Sequence, residues 1–341
     1  MIILYKIYMD KNKDISRRGF LKSTVMAGGT LLAASLLPNK MLGSILDETS
    51  ELNNSTDELL KGISDIHIHA MPDSTDRLVN EYSMALDAYK AGYRSVMFKS
   101  NDFSCHDRAY LIRQMLPDFE VFGSLVMNKV HGERVNVIAA EKAVKTTGNY
   151  CRCIWMPTTD AVYQYKITHN AGTGIAVLDN TGKVLPEVIR IMEICAEADI
   201  IFATGHSSQE ESIIMARKAQ EVGLKKFVVT HANSNFWKMT EDQIKKCIDF
   251  GAFIEYCFIT NLWGEGTGLP NFERITTEEF SSFARINPER SFITTDLGQI
   301  GMPHPIEGMR TCIKELLKAG LSGQVIDLLV RTNPAYLVGI E

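Results

Sequence analysis

Short apolar runs recur along this chain at a regular pitch, each followed by a longer stretch in which apolar residues return every three or four positions. The runs at 63–69, 95–99, 121–127, 153–156, 200–204, 227–230, 252–256 and 291–295 have the length and the β-branched or aromatic content of buried strands. Between them, 81–91, 107–115, 135–145, 186–198, 210–222, 241–250 and 278–285 carry the helical period. A glycine stop at Gly92 and a first-turn proline at Pro186 mark helix ends, and a last helix is expected after Asn333-Pro334-Ala335. Unbroken alternation of strand and helix implies a parallel sheet. Eight such units predict an α/β fold of the TIM (β/α)8 barrel type rather than an open sheet. The connection from 157 to 185 is too long for an ordinary loop, so a functional segment or a small hairpin is expected there.

Polar residues interrupt this pattern at strand ends. Asp65-Ile66-His67-Ile68-His69 closes the first run, Gly205-His206 the fifth, Thr230-His231 the sixth and Thr295-Asp296-Leu297-Gly298 the eighth. His206 and His231 are 25 residues apart, about one strand–helix unit, and His231 and Asp296 are 65 apart, about two. These residues therefore fall at the C-terminal ends of strands 1, 5, 6 and 8, where such barrels place their chemistry. Alternation puts Asp65, His67 and His69 on one face of the first strand, with Ile66 and Ile68 facing the outer helices. Four of the chain's eight histidines gathered at one mouth with an aspartate read as a single metal site. Asp65 reads as support for the strand end rather than as a ligand.

Composition narrows the picture. The stretch from Gly62 onward, about 280 residues, is enough for one large domain with a sizeable core. A net charge of −5 gives no basic footprint for nucleic acid. The seven cysteines lack metal-finger or redox spacing and read as core residues. Cys151 and Cys153 fall on one face by alternation, where a bridge between them would be strained. Ser16-Arg17-Arg18-Gly19-Phe20-Leu21-Lys22, followed by an apolar stretch at 23–37, reads as a twin-arginine export signal. That stretch is short for a membrane span, Met9 is an alternative start, and cleavage is expected between 34 and 44. With no cysteine after the apolar stretch, a lipoprotein is disfavoured. The expected plan is a signal peptide over 1–43, a polar linker over 44–61 and a barrel over 62–341. The twin-arginine machinery would export the folded chain to a periplasmic or extracytoplasmic location.

On these residues the chain resembles the amidohydrolase superfamily, in which Asp-x-His-x-His ends strand 1, single histidines end strands 5 and 6, and an aspartate ends strand 8. The resemblance spans 62–341. Lys99-Ser100, Met156-Pro157-Thr158, Ala203-Thr204-Gly205-His206, Asp296-Leu297-Gly298-Gln299 and Asn333-Pro334-Ala335 are similar to an amidohydrolase-like family known only as a domain of unknown function. The resemblance implies a metal shell of His67, His69, His206, His231 and Asp296, holding one or two divalent cations, zinc by expectation. It implies hydrolysis of an amide, cyclic amide, ester or lactone by a metal-activated water, with a phosphoester less favoured. Asp296 would be the base and would return the proton to the leaving group.

Two-metal members of the superfamily bridge their cations with a carboxylated lysine, usually at the end of strand 4. Here strand 4 ends in Met156-Pro157-Thr158, and the candidate is Lys99 on strand 2, inward-facing with Ser95 and Met97. A buried lysine beside cations loses its proton easily enough to react with carbon dioxide. Pairing with a carboxylate or holding an anionic substrate is an equal reading of Lys99. With a single metal, His231 becomes a catalytic histidine beside Asp296. Two further readings stand beside hydrolysis: a metal-dependent decarboxylase of the same superfamily, and a non-catalytic metal- or solute-binding protein. The intact shell argues against the last.

Substrate contacts are expected from Asn101 and Arg108 after strand 2, Asn128 and Lys129 after strand 3, Asp160 and His169 in the long connection, and Gln299 after strand 8. Other polar residues near strand ends are Asp102, His106, His131, Arg134, Asn233, Glu255 and His304. The Lys and Arg residues after strands 2 and 3 point to a small molecule bearing a carboxylate or phosphate. The 157–185 segment is expected to set substrate choice. The pattern leaves open whether the chain acts alone or as a homo-oligomer.

Overall fold

Each strand pairs in parallel with its neighbour in sequence. β1 (Ser64–Ile68), β2 (Ser95–Phe98), β3 (Glu120–Val126), β4 (Cys151–Trp155), β5 (Ile201–Ala203), β6 (Phe227–Val229), β7 (Phe253–Cys257) and β8 (Ser291–Thr294) form one sheet in chain order. The computed structural model describes residues 58–169 and 171–340. The export signal expected over 1–43, and residues 44–57 of the expected linker, lie outside the described residues. The sheet curls into a nearly closed barrel. At its C-terminal end the Asp296 N–H donates to the His67 carbonyl at 2.9 Å, and the His69 N–H donates to the Leu297 carbonyl at 2.8 Å. The Asp65 carboxylate spans the same seam, accepting from Thr295 Oγ1 at 2.6 Å and Thr295 N at 3.2 Å.

Helices wrap the outside: α1 (Glu81–Lys90), α2 (His106–Met115), α3 (Val137–Val144), α4 (Val162–Thr168), α5 (Pro186–Glu197), α6 (Gln209–Glu221), α7 (Glu241–Asp249), α8 (Thr277–Ala284), α9 (Pro305–Lys318), α10 (Gly323–Asp327) and α11 (Asn333–Val338). Reciprocal caps start α6 (Ser208 with Glu211) and α7 (Thr240 with Gln243), satisfying backbone donors that a helix start leaves free. Strand residues such as Phe98, Ile154, Phe202 and Ile254 meet Met84, Ile191, Met215 and Ile244 in the layer between sheet and helices. A second apolar cluster fills the barrel itself, with Met97, Phe122, Trp155, Val228 and Phe292. Leu337 and Val338 of α11 belong to that inner cluster, so the last helix closes the end of the barrel opposite His67 and Asp296.

Three local differences from the sequence pattern have physical causes. The register of β1 shifts between Asp65 and Ile68. Ile66 therefore joins the barrel interior, whereas Ile68 faces the helices as alternation requires. A shift between Gly123 and Ser124 on β3 coincides with a similar split on β4: Cys151 packs outside and Cys153 inside. All seven cysteines are free and buried. The fourteen-residue α9 follows a stretch rich in Gly and Pro and contains Gly308, a poor helix former. A Cβ at Gly308 would meet Leu297 Cδ1 at 2.1 Å, so close packing, not propensity, selects glycine there.

Candidate metal centre

β1 delivers two imidazoles to the mouth of the barrel. His67 and His69 are buried, and the Nε2 atoms of both lie close to Asp296 Oδ1, at 3.1 and 3.2 Å. Asp296 and His231 each take a left-handed backbone, φ +53° and +58°, at the point where their strands end. Such angles are uncommon outside glycine and tend to mark functional positions. His231 Nδ1 lies 3.9 Å from the second oxygen of Asp296. His206 follows Gly205 and stands beside His231, ring to ring at 5.3 Å, with its Nδ1 2.9 Å from Gln164 Oε1. Lys99 reaches in from beyond β2, placing Nζ 3.0 Å from His67 Nε2 and over the Trp155 ring at 4.6 Å.

The donor atoms suit a divalent cation. Those of His67, His69 and Asp296 lie within 4.8 Å of one another, as do those of His231, Cys257 and Asp296. A third group, His67, Glu255 and Cys257, meets the same limit. Glu255 on β7 contacts His67 Nδ1 at 2.8 Å and accepts from Thr294 Oγ1 at 2.8 Å. An ionised carboxylate only accepts, so Nδ1 carries the proton, and in the neutral ring Nε2 turns a lone pair inward. Nε2 faces the Asp296 carboxylate at 3.1 Å, so either a proton or a cation is called for between them. His231 Nδ1, the atom turned toward Asp296, is buried without a hydrogen-bond partner, as expected of a donor that a metal completes.

The electrostatics agree with this set. Burial pushes His69 down to about 3 and His231 down to about 4, and holds His206 well below its ordinary value. These rings are thus neutral, the form that binds metal. Burial opposes the charge on Asp296, yet His67 and hydrogen bonds from His67 and His69 hold the carboxyl well below the usual carboxylate range. Burial likewise opposes Glu255, and His67 outweighs it, keeping the carboxyl lowered. His67 is pressed down by burial, but Asp296 and Glu255 raise it against the nearby Lys99. Burial also lowers Lys99 despite Asp296.

Above this floor opens a cavity of about 570 Å³ bordered by His69, Lys99, His206, His231 and Asp296. Asn101 and Gln299 also border it. The other expected substrate residues are engaged elsewhere. Arg108 is turned into a two-pronged pair with Glu81 of α1 at 2.7 and 2.8 Å. Asn128 is buried and ties the turns after β3 and β4 together, donating to Thr158 Oγ1 and accepting from Thr158 N. Lys129 donates to Tyr165 OH at 3.2 Å, and Asp160 accepts from the same hydroxyl and from Lys129 N. His169 caps α4 in an exposed left-handed turn. Among the described residues of the 157–185 segment, only Thr159 and Gln164 border the cavity, whereas the turns after β6 and β7 form much of its wall. Sequence reasoning placed Glu255 only among polar residues near strand ends. Its signal was a lone carboxylate inside an apolar strand, a group that must find a partner when buried. Arg77, Trp237 and Cys257 gave no comparable signal.

The sequence pattern of a family of unknown function, DUF6282, matches residues 62–255. No curated protein matches the chain. Among solved structures, the probable dipeptidase PvdM from Pseudomonas aeruginosa is similar with a TM-score of 0.55 at 10% identity, covering 85% of this chain and 98% of that one. An amidohydrolase from Pseudomonas aeruginosa gives a TM-score of 0.52 at 11% identity, covering 83% and 98%. A mutant organophosphorus hydrolase from Deinococcus radiodurans gives 0.53 at 12% identity, covering 82% and 92%. At these identities the likeness is one of fold.

Proposed function

The chain belongs to the family of unknown function DUF6282, and from the site it carries we propose that it is a metal-dependent hydrolase of amides, cyclic amides, esters or lactones. The observation that carries this reading is the gathering of His67 and His69 on one side and His231 on the other around the buried Asp296, at the floor of an open cavity. A bound divalent cation, zinc on this reading, supplies an acidified water and polarises the scissile carbonyl. His67, His69, His206 and His231 are the donors that would hold it, each in its neutral form. Glu255 fixes the proton on His67 Nδ1 and so the direction of its free nitrogen. Asp296, ionised at neutral pH, accepts the proton of the attacking water and passes it to the leaving group. The aromatic wall beside His206 and His231 limits water on that side.

Lys99 belongs to the same site, since its nitrogen touches the free nitrogen of His67. Carboxylation there would make it a bridge between two ions. Without it, Lys99 is a cation facing the substrate. The reading also takes the chain to be exported by the twin-arginine route and loaded with metal while folded.

The test is metal content and ester turnover measured together on wild type, Asp296→Asn and Lys99→Ala. Wild type reconstituted with zinc is expected to hydrolyse simple aryl and alkyl esters, and a chelator to abolish that turnover. Asp296→Asn should lower it by about 10²–10⁴-fold. Two ions falling to one or none in Lys99→Ala would establish the bridge, and one ion in both would assign Lys99 to the substrate. A loaded wild type without turnover on a broad ester, lactone and amide panel would defeat the hydrolase reading.

A further inference from the structure

The cavity over the metal centre has two chemically distinct halves, and the division follows the order of strands round the barrel. Trp237, Ile259, Trp263, Leu269 and Phe272, from the turns after β6 and β7, border one side. Arg77 and Asn101, from the turns after β1 and β2, border the other, with Gln164 of α4 between the two beside His206. The apolar side starts at the metal ligands themselves. The Trp237 ring lies 4.3 Å from that of His206 and stacks on His231 at 5.1 Å and 27°. Phe236 links outward, 5.8 Å from Trp237 and 5.1 Å from Phe272, and Phe272 stacks on Trp263 at 4.6 Å and 28°.

This wall is not an extension of either barrel core. Trp263, Ile259, Leu297, Met302 and Cys257 form a separate cluster, with Leu269 and Phe272 packed on it only partly buried. Apolar side chains left half covered at the rim of a cavity gain when a ligand covers them. The wall carries no charge of its own. The basic residues that suggested an anionic ligand are spent elsewhere: Arg108 on Glu81, Lys129 on Tyr165 and Arg134 on Glu187.

We propose that the substrate carries a flat, uncharged aromatic or alicyclic group next to the bond that is cleaved, seated against Trp237, Trp263 and Phe272. This rests on the hydrolase reading and names its substrate class. The opposite, polar half then receives the heteroatoms of the remainder of the molecule.

The test uses full-length, zinc-loaded protein and two hydroxamates with the same chelating head, acetohydroxamate and phenylacetohydroxamate, titrated by calorimetry. The phenyl compound is expected to bind about tenfold tighter or more, as burial of one ring implies. Phe272→Ala and Leu269→Ala, both partly buried and outside the ligand set, should each erase most of that advantage and leave acetohydroxamate unchanged. Circular dichroism confirms that both variants fold. Equal affinities, an advantage that survives both substitutions, or no binding of the phenyl probe overturns the proposal. Turnover of methyl phenylacetate is read separately. A phenyl preference without turnover of any ester would sink the hydrolase reading alone, and turnover without a phenyl preference would sink this inference alone.

Discussion

Glu255 decides which nitrogen of His67 faces the cavity. It is fully buried, contacts Nδ1 at 2.8 Å, and is itself steadied by Thr294. Such carboxylate–imidazole pairs orient a ligand and raise its basicity, and their loss typically weakens metal binding by about 10–100-fold. Glu255→Gln, which keeps an acceptor but not the charge, should fall at the low end of that range, and Glu255→Leu at the high end. Competition with a chelating dye measures both, and an unchanged affinity in Glu255→Leu would remove Glu255 from the site. The contrast with His67 and His69 shows what the sequence made legible. Two histidines at strand spacing announce themselves, because alternation alone puts them on one side. Glu255 is 188 residues from its partner, and only closure of the barrel reveals which side chain it meets.

At the scale of elements, the alternation of apolar runs was legible because each strand of a parallel barrel is buried on both faces. What escaped was the place where a strand departs from strict alternation. The shift in β1 lets both Ile66 and His67 face inward, and no run of residue types encodes it. α4 escaped for a different reason: none of its residues is buried, so it lacks a core-facing stripe to detect. Strand ends also impose a backbone demand. Gly205 has φ +60°, and a Cβ there would lie 2.3 Å from the Met156 carbonyl oxygen and 2.5 Å from that of Pro157. Gly205→Ala must therefore push β5 away from the end of β4 and move His206. A loss of about 3 kcal/mol or more is expected, read as a lowered urea midpoint together with weaker metal binding. A variant as stable as wild type would show that the turn yields freely.

The whole molecule responds to acid through the same buried groups. In metal-free protein, burial holds His69 at about 3 and His231 at about 4, and His206 well down, whereas unfolded histidine titrates near 6.5. Below about 6.5 the unfolded chain takes up protons that the folded one refuses, so the contribution of these rings is complete above that pH and is lost as pH falls toward 4. Asp65, raised by burial to about 7, acts in the opposite sense, as do the raised His67 and Glu81. Asp296 and Glu255, both held low, add to the three histidines and with them outweigh these. The urea midpoint of chelator-treated protein should therefore be lower at pH 5 than at pH 7.5, and an equal or higher midpoint at pH 5 would contradict this balance. The cavity was the least legible feature at this scale. Its apolar wall comes from turns after β6 and β7 whose aromatic residues carried no signal in the sequence, and basic residues read there as an anion hint, Arg108 and Lys129, are paired with their own neighbours.

The seam between β1 and β8 gives the chain an order of completion. Asp65 and Thr295 are 230 residues apart, and the backbones of His67 and Asp296 bond directly across the join. During synthesis the first two imidazoles emerge long before the carboxylate that faces them. A growing chain thus carries an open sheet with an exposed edge, the kind of edge on which other strands add. On the metal-site reading, the donors on β1 would meet the last of the set only when β8 has paired back against β1. Ion binding would then report closure of β8 on β1, and a chain lacking Asp296 would be both edge-exposed and short of a donor.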